Sequence, residues 1–272
     1  MIPLLTKSSA RLGTIALLMV FGLPLVWLVL TSLKTGQQLA NSPAGVFFEP
    51  TVDAYKQALT PTLFRSMIMS VAIALPTSIS LLALGIPAAF GLSRAPRPLA
   101  NAVLATLLIL QMVPPAVSLV PLYRVLGLSH LINTIPGIVC ADVALYLPFA
   151  IILLRPFCLG LPKDLLDAAA IDGAGTPRIL FHIVLPLMRN GAATVGALTF
   201  ILAWGEFIYA LTFLNDSSLQ PLSALLARQV TAYGVDWPSL MAISAVASLP
   251  LLVIYLLVQR QLRAGLTLGT GK

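Results

Sequence analysis

Two carboxylic acids, Asp142 and Glu206, interrupt long uncharged runs of this sequence. A carboxyl group within an apolar helix is costly to bury, so it normally faces the interior of a helix bundle or an aqueous path. Trp204 and Tyr209 flank Glu206, and Gln111 lies in a third apolar run just before Pro114-Pro115. An aromatic face beside carboxyl, amide and hydroxyl groups is a common way of holding a sugar. Glu206, Trp204, Asp142, Gln111 and Tyr209 are therefore the candidate lining of a path for a polar solute. Two other readings fit the same acids. They could carry protons in a secondary transporter, or they could be hydrogen-bonded to a neighbouring helix and serve structure alone.

A second group of residues is suited to docking rather than binding. Residues 162–187 form a polar island, and Lys163, Asp164, Asp167, Asp172, Arg178 and Arg189 are charged in or just beyond it, with His182 among them. Pro162 and Asp164 suit a helix start, where a fixed φ and negative charge are both favourable. Gly173 suits a stop that needs a left-handed residue. Thr176-Pro177 reads as an N-cap and first-turn proline of a second helix, which Leu185-Pro186 is expected to end. Ala168, Ala169 and Ala170 let another surface approach the first helix closely, and Leu165, Leu166 and Ile171 add apolar contact. Such a helix–break–helix forms a knob for a partner's groove.

Other chemistries find no support. There is no nucleophile–base pair, no metal-ligand spacing and no clustered His, Cys or Ser/Lys set. Gly269-Thr270-Gly271-Lys272 lacks the spacing, the following Ser/Thr and the preceding strand of a phosphate loop. Cys140 and Cys158 fall at separate depths and are not expected to pair. The net charge of +7 comes from basic residues spread among short loops, which points to membrane orientation rather than nucleic acid.

The elements that must position these residues are membrane helices. The chain is 58% hydrophobic and 9% charged, against about a quarter charged in soluble domains. The reading is all-α, one domain over 1–272, with spans at about 14–33, 67–90, 102–122, 135–157, 192–214 and 240–258. The first is expected to stay uncleaved. Pro114-Pro115 should kink or unwind the third span, and the prolines of spans two to four are candidate bending points. Phe47, Phe48 and Tyr55 are expected to seat the connection 34–65 at the membrane interface, and Trp237 to anchor span six there. Six spans put both termini in the cytoplasm. Eleven of the sixteen Lys and Arg residues then lie inside, as the positive-inside bias requires.

The polar island resembles the EAA loop of ABC-importer permeases, here 158–189. The match is Asp167-Ala168-Ala169, Gly173 four residues after the second alanine, and the distal Leu185-Pro186. Asp167 stands where the family usually has glutamate, one methylene longer. Three further stretches are similar to MalG-type carbohydrate permeases. The first is Pro114-Pro115 with Val120-Pro121-Leu122-Tyr123, Gly127-Leu128 and Asn133-Thr134. The second is Ala203-Trp204-Gly205-Glu206-Phe207, with Gly205 in place of the usual asparagine. The third is the tail from Arg263 to Gly269 with Lys272.

The resemblance implies a MetI-like, type I importer fold in the bacterial cytoplasmic (inner) membrane. Asp167, Ala168, Ala169, Ile171, Asp172, Gly173, Leu185 and Pro186 would dock an ATPase subunit, with residues 265–272 as a further contact. It implies a second homologous permease, two ATPase subunits and an extracytoplasmic solute-binding protein, besides membrane lipid. ATP and Mg would be used by the ATPase subunits, with no cofactor and no catalysis in this chain. The cargo would be a sugar or sugar derivative, moved by alternating access; a phosphoester or osmolyte is the alternative cargo.

Overall fold

The computed structural model describes the backbone of residues 7–231 and 234–267, and side chains over 13–230 and 234–259. Ten helices carry the architecture: α1 (Lys7–Ser32), α2 (Pro61–Arg94), α3 (Arg97–Gln111), α4 (Pro115–Leu128), α5 (Ile135–Leu159), α6 (Lys163–Ile171), α7 (Thr176–Leu187), α8 (Arg189–Gly205), α9 (Ile208–Phe213) and α10 (Trp237–Thr267). Short helices Gly36–Asn41, Asp53–Ala58 and Leu222–Ala227 lie in the connections. Strands β1 (Val230–Thr231) and β2 (Gly234–Val235) pair antiparallel, with Thr231 opposite Gly234. In hydrocarbon a backbone must satisfy its own polar groups, and a lone apolar segment does so only as a helix.

By length and composition α1, α2, α5 and α10 can each cross a membrane alone. The pairs α3–α4 and α7–α8 qualify only as bent pairs, at 95° and 80°. Four expected spans fall on α1, α2, α5 and α10, and α2 and α10 run well beyond the expected ends. The third span breaks where expected. Pro115 opens α4 at a position whose N–H needs no partner, and Pro114 disfavours helix in Val113 before it. Pro76, Pro87 and Pro148, also expected as bending points, remain inside continuous helices.

The fifth span differs from expectation. It is not continuous over 192–214: α8 stops at Gly205, Glu206 is extended (φ −66°, ψ 127°), and α9 begins two residues later. Gly205 weakens the helix it ends, and the Glu206 side chain competes for the backbone donors that follow.

The polar island folds nearly as read. Gly173 has φ +81°, and the stop is a Schellman motif: Gly173 N–H donates to Ala170 O at 3.1 Å and Ala174 N–H to Ala169 O at 3.0 Å. Two details are corrected. Thr176 is the first helical residue rather than the cap, which falls on Gly175 without a side-chain bond. Leu185-Pro186 does not end the second helix. Residues Leu180–Val184 widen into a π turn in which Leu185 N–H reaches back to Leu180 O. The ladder is thus already out of α register where Pro186 has no N–H to donate, and the helix runs on to Leu187.

Two compact units divide the chain. One joins the residues up to Phe64 with Leu226–Leu249; the other joins Arg65–Leu225 with the stretch from Pro250. In the first, Lys34 is buried: its Nζ donates to Pro43 O at 3.1 Å and lies 5.4 and 5.2 Å from the ring centres of Trp27 and Phe48. Tyr55 Oη pairs with Ser32 Oγ at 2.7 Å. Phe48 and Tyr55 thus hold the connection onto the end of α1, and Phe47 of the three is left fully exposed. The most apolar stretch of α1 has no buried residue, so it needs lipid or another chain around it. In the second unit, one buried cluster joins Leu81, Leu154, Cys158, Leu166, Val184 and Val195, and another joins Ile73, Leu126, Ile138, Tyr209 and Phe213.

A residue not singled out for its own chemistry staples this second cluster. Asn133 adopts a left-handed φ of 60°, and its Oδ1 accepts from the N–H groups of both Asn215 and Asp216 at 2.9 Å. Its own N–H donates to Phe213 O at 2.8 Å. Asp216 in turn accepts from Ser218 N–H, and that bond holds its carboxyl below the usual carboxylate range. Asn133→Ala is expected to cost about 1–3 kcal/mol, the net loss of hydrogen bonds whose exposed donors then turn to water plus the strain of a left-handed alanine. Hydrogen exchange checks it: the Asn215 and Asp216 amides should exchange faster while those of α5 do not.

Candidate functional site

The docking residues and the path residues lie in two different places. At the polar island, Leu166, Ile179, Val184 and Met188 are buried against Leu154 and Cys158 of α5. This inner face fixes the knob to the helix bundle. The other face is bare. Asp167, Ala168, Asp172, Gly173 and Pro186 are exposed, Leu185 is 37% exposed, and Ile171 is 87% exposed. Ala169 is half-buried against the core, so its closest role is packing α6 down. Phe181, on the π turn, is also 62% exposed. Sequence reading passed over it, although an aromatic in a polar stretch was a usable signal.

The path residues gather around the two helix breaks. Gln111 is the last residue of α3, and its Nε2 donates to Leu145 O of α5 at 3.2 Å. Tyr209, in the first turn of α9, is buried; its hydroxyl pairs with Ser118 Oγ of α4 and its ring stacks on Phe213 at 5.4 Å. A cavity of about 220 Å³ opens between these elements, lined by Leu110, Val113, Ser118, Leu145, Pro148 and Tyr209 among others. Its walls are therefore the ends of two interrupted helices and the proline-bearing turn of α5. Ser118 is the cavity-lining hydroxyl that sequence reading missed; it carried no signal beyond a hydroxyl three residues after a proline pair.

The two acids are placed differently from each other. Glu206 is 9% exposed, and both its oxygens accept backbone N–H groups, Oε1 from Tyr209 at 2.9 Å and Oε2 from Ala210 at 3.2 Å. Asp142 is fully buried on α5, and neither of its oxygens has a hydrogen-bond partner among the described residues. One turn along the same face, Tyr146 Oη reaches Leu202 O of α8 at 3.4 Å. Asp142, Tyr146, Glu206 and Tyr209 lie within electrostatic range of one another. Trp204 is buried and stacked on Phe200 at 5.7 Å, so its ring is occupied by packing. Of the five path residues, only Tyr209 lines the cavity directly.

A larger cavity of about 770 Å³ lies within the other unit, walled by Trp27, Leu39, Pro43, Trp237 and Met241. It holds none of the path residues and is mainly apolar. Trp237, expected as an interface anchor, is 48% exposed at its rim. No group of three or more His, Cys, Asp or Glu side chains among the described residues could hold a metal.

Residues 81–267 match the family described as binding-protein-dependent transport system inner membrane component. The chain is 31% identical over 254 residues to the melibiose/raffinose/stachyose import permease protein MelC of Bacillus subtilis, covering 92% of this chain and 91% of that one. It is 30% identical over 261 residues to the sulfoquinovosyl glycerol transport system permease protein SmoH of Agrobacterium fabrum, covering 93% and 90%. Among solved structures it is similar to a chain of a bacterial ABC transporter that imports the acidic polysaccharide alginate. That likeness has a TM-score of 0.75 at 20% identity, over 95% of this chain and 99% of the other.

The Ser118–Tyr209 pair is expected to contribute about 0.5–1.5 kcal/mol. Thermal unfolding of the detergent-purified protein checks this: Tyr209→Phe should lower the midpoint, and adding Ser118→Ala should lower it little further, because the two hydroxyls act as one bond.

Proposed function

The chain belongs to the binding-protein-dependent transport system inner membrane component family, and on that premise we propose that it is a membrane permease subunit of an ATP-driven importer for a sugar or sugar derivative. The observation that carries the coupling role is the exposed face of the polar island. Ile171 stands almost free on a helix whose other face is locked to α5. Covering such a side chain stabilises a complex by roughly 1.5–3 kcal/mol, so a partner surface is the natural occupant.

The parts then divide as follows. A separate ATPase subunit docks on α6 and α7 through Asp167, Ala168, Ile171, Asp172, Leu185 and Pro186, and it does the hydrolysis with ATP and Mg. Gly173 sets the angle of the knob, and Ala169 seats α6. A second, homologous permease completes the path, and two ATPase subunits close beneath the pair. Part of the tail over 265–272 lies outside the described residues. An extracytoplasmic solute-binding protein delivers the cargo; one solved neighbour is described as a bacterial alginate transporter in complex with an alginate pentasaccharide-bound periplasmic protein. The sugar class is supported by the relatives, whose names give melibiose, raffinose, stachyose and sulfoquinovosyl glycerol as their cargoes. The cavity between the helix breaks, lined by Ser118 and Tyr209, is this chain's share of the path. Movement of the ATPase pair shifts the two knobs, and packed helices pass that shift to the breaks.

The test is co-purification and uptake. Ile171→Asp is expected to weaken ATPase binding about 10–100-fold, the factor that matches the buried area, while the permease itself still inserts and folds. Proteoliposomes holding the full complex and its binding protein should take up labelled oligosaccharides only with internal ATP. Uptake that survives without ATP and collapses with a protonophore would overturn the proposal in favour of a secondary transporter using Asp142 and Glu206.

A further inference from the structure

The break in the fifth span creates a helix start inside an apolar segment, and one side chain closes it. The first N–H groups of α9 have no acceptor within the helix. Phe207 occupies the cap position and offers no side-chain acceptor. Glu206, one residue earlier, supplies both carboxylate oxygens, to Tyr209 N–H and to Ala210 N–H. The Glu206 carbonyl, released from the ladder of α8, accepts from Ser223 Oγ at 2.6 Å. The one ion pair among the described residues is Lys56–Asp53, so no basic side chain shares the Glu206 carboxylate. Glu206 does not line the cavity, whereas Tyr209, whose N–H it holds, does.

We infer that Glu206 is a positioning residue for transport. It does not hold cargo; it fixes the first turn of α9 so that Tyr209 faces the cavity and reaches Ser118 on α4. The inference rests on the permease reading and assigns Glu206 a role within it. The geometry also explains the residue type. Each of the two successive N–H groups is met by its own carboxylate oxygen. Glutamine has one oxygen and would turn an amide N–H towards a backbone N–H. Aspartate at the same position is a methylene short of spanning both.

The test moves the cap by one residue. In the assembled transporter in lipid nanodiscs, Glu206→Ala should raise exchange of the Tyr209 and Ala210 amides by roughly tenfold, the factor that loss of a helix cap corresponds to, without changing the amides of Ile138 to Leu147. Glu206→Gln should fall between. The double variant Glu206→Ala with Phe207→Ser places a hydroxyl at the usual cap position, so it should recover slow exchange. With melibiose, raffinose and N,N′-diacetylchitobiose as labelled probes, the double variant should also recover the maximal uptake rate that Glu206→Ala loses. A cargo-binding carboxylate could not be replaced in this way. Unchanged exchange at Tyr209 and Ala210 in Glu206→Ala, or slow exchange regained by the double variant without uptake, would overturn the assignment. Failure of the permease reading shows separately, as an unmodified complex with no ATP-driven uptake.

Discussion

Every backbone polar group in a membrane-crossing segment has to be bonded within the protein, and this chain interrupts two such segments. Each interruption frees N–H and C=O groups that would cost several kcal/mol apiece in hydrocarbon. The structure answers them locally. At the α3–α4 break, two prolines remove two of the donors outright. At the α8–α9 break, Glu206 takes two N–H groups, Ser223 bonds the Glu206 carbonyl, and Tyr146 reaches Leu202 O. Glu206, which looks like chemistry in the sequence, is engaged in this repair. Residues at both repaired breaks wall the cavity lined by Ser118 and Tyr209.

The helix α5 ties that region to the polar island. Its 25 residues extend over about 37 Å at 1.5 Å per residue. Near one end Ile138 and Ala141 pack with α9; near the other Leu154 and Cys158 pack with Leu166, Val184 and Met188. A close-packed interior does not absorb a displacement by compressing. The helix α5 contributes residues both to the cluster under α6 and to the cluster that holds Tyr209. Gly191 shows how tight the packing is: a Cβ there would lie 2.5 Å from the Phe157 ring.

The membrane class was legible because a hydrophobic run of sufficient length has one stable solution. The bend at Pro114-Pro115 was legible because proline lacks a donor whatever surrounds it. Gly173 was legible for a similar reason: a helix stop in a left-handed conformation strongly favours glycine. These are local rules, settled within a few residues.

Tertiary packing decided the rest. Nothing near Glu206 in the sequence says that its carboxylate folds back on Tyr209 and Ala210 instead of facing a solute, because that choice depends on α8 stopping at Gly205. Trp204 and Tyr209 read alike in the sequence; both stack on a phenylalanine in the fold, and only Tyr209 lines the cavity. Ser118 and Asn133 act on partners 91 and 82 residues away, and Lys34 became buried because Trp27 and Phe48 enclose it. The sequence by itself determined which long segments are helical and that Pro114-Pro115 and Gly173 interrupt them, since backbone sterics and burial over one segment are enough for that. Only the folded structure decided which polar side chains meet freed backbone groups and which face open space, because that depends on residues that are neighbours in space alone.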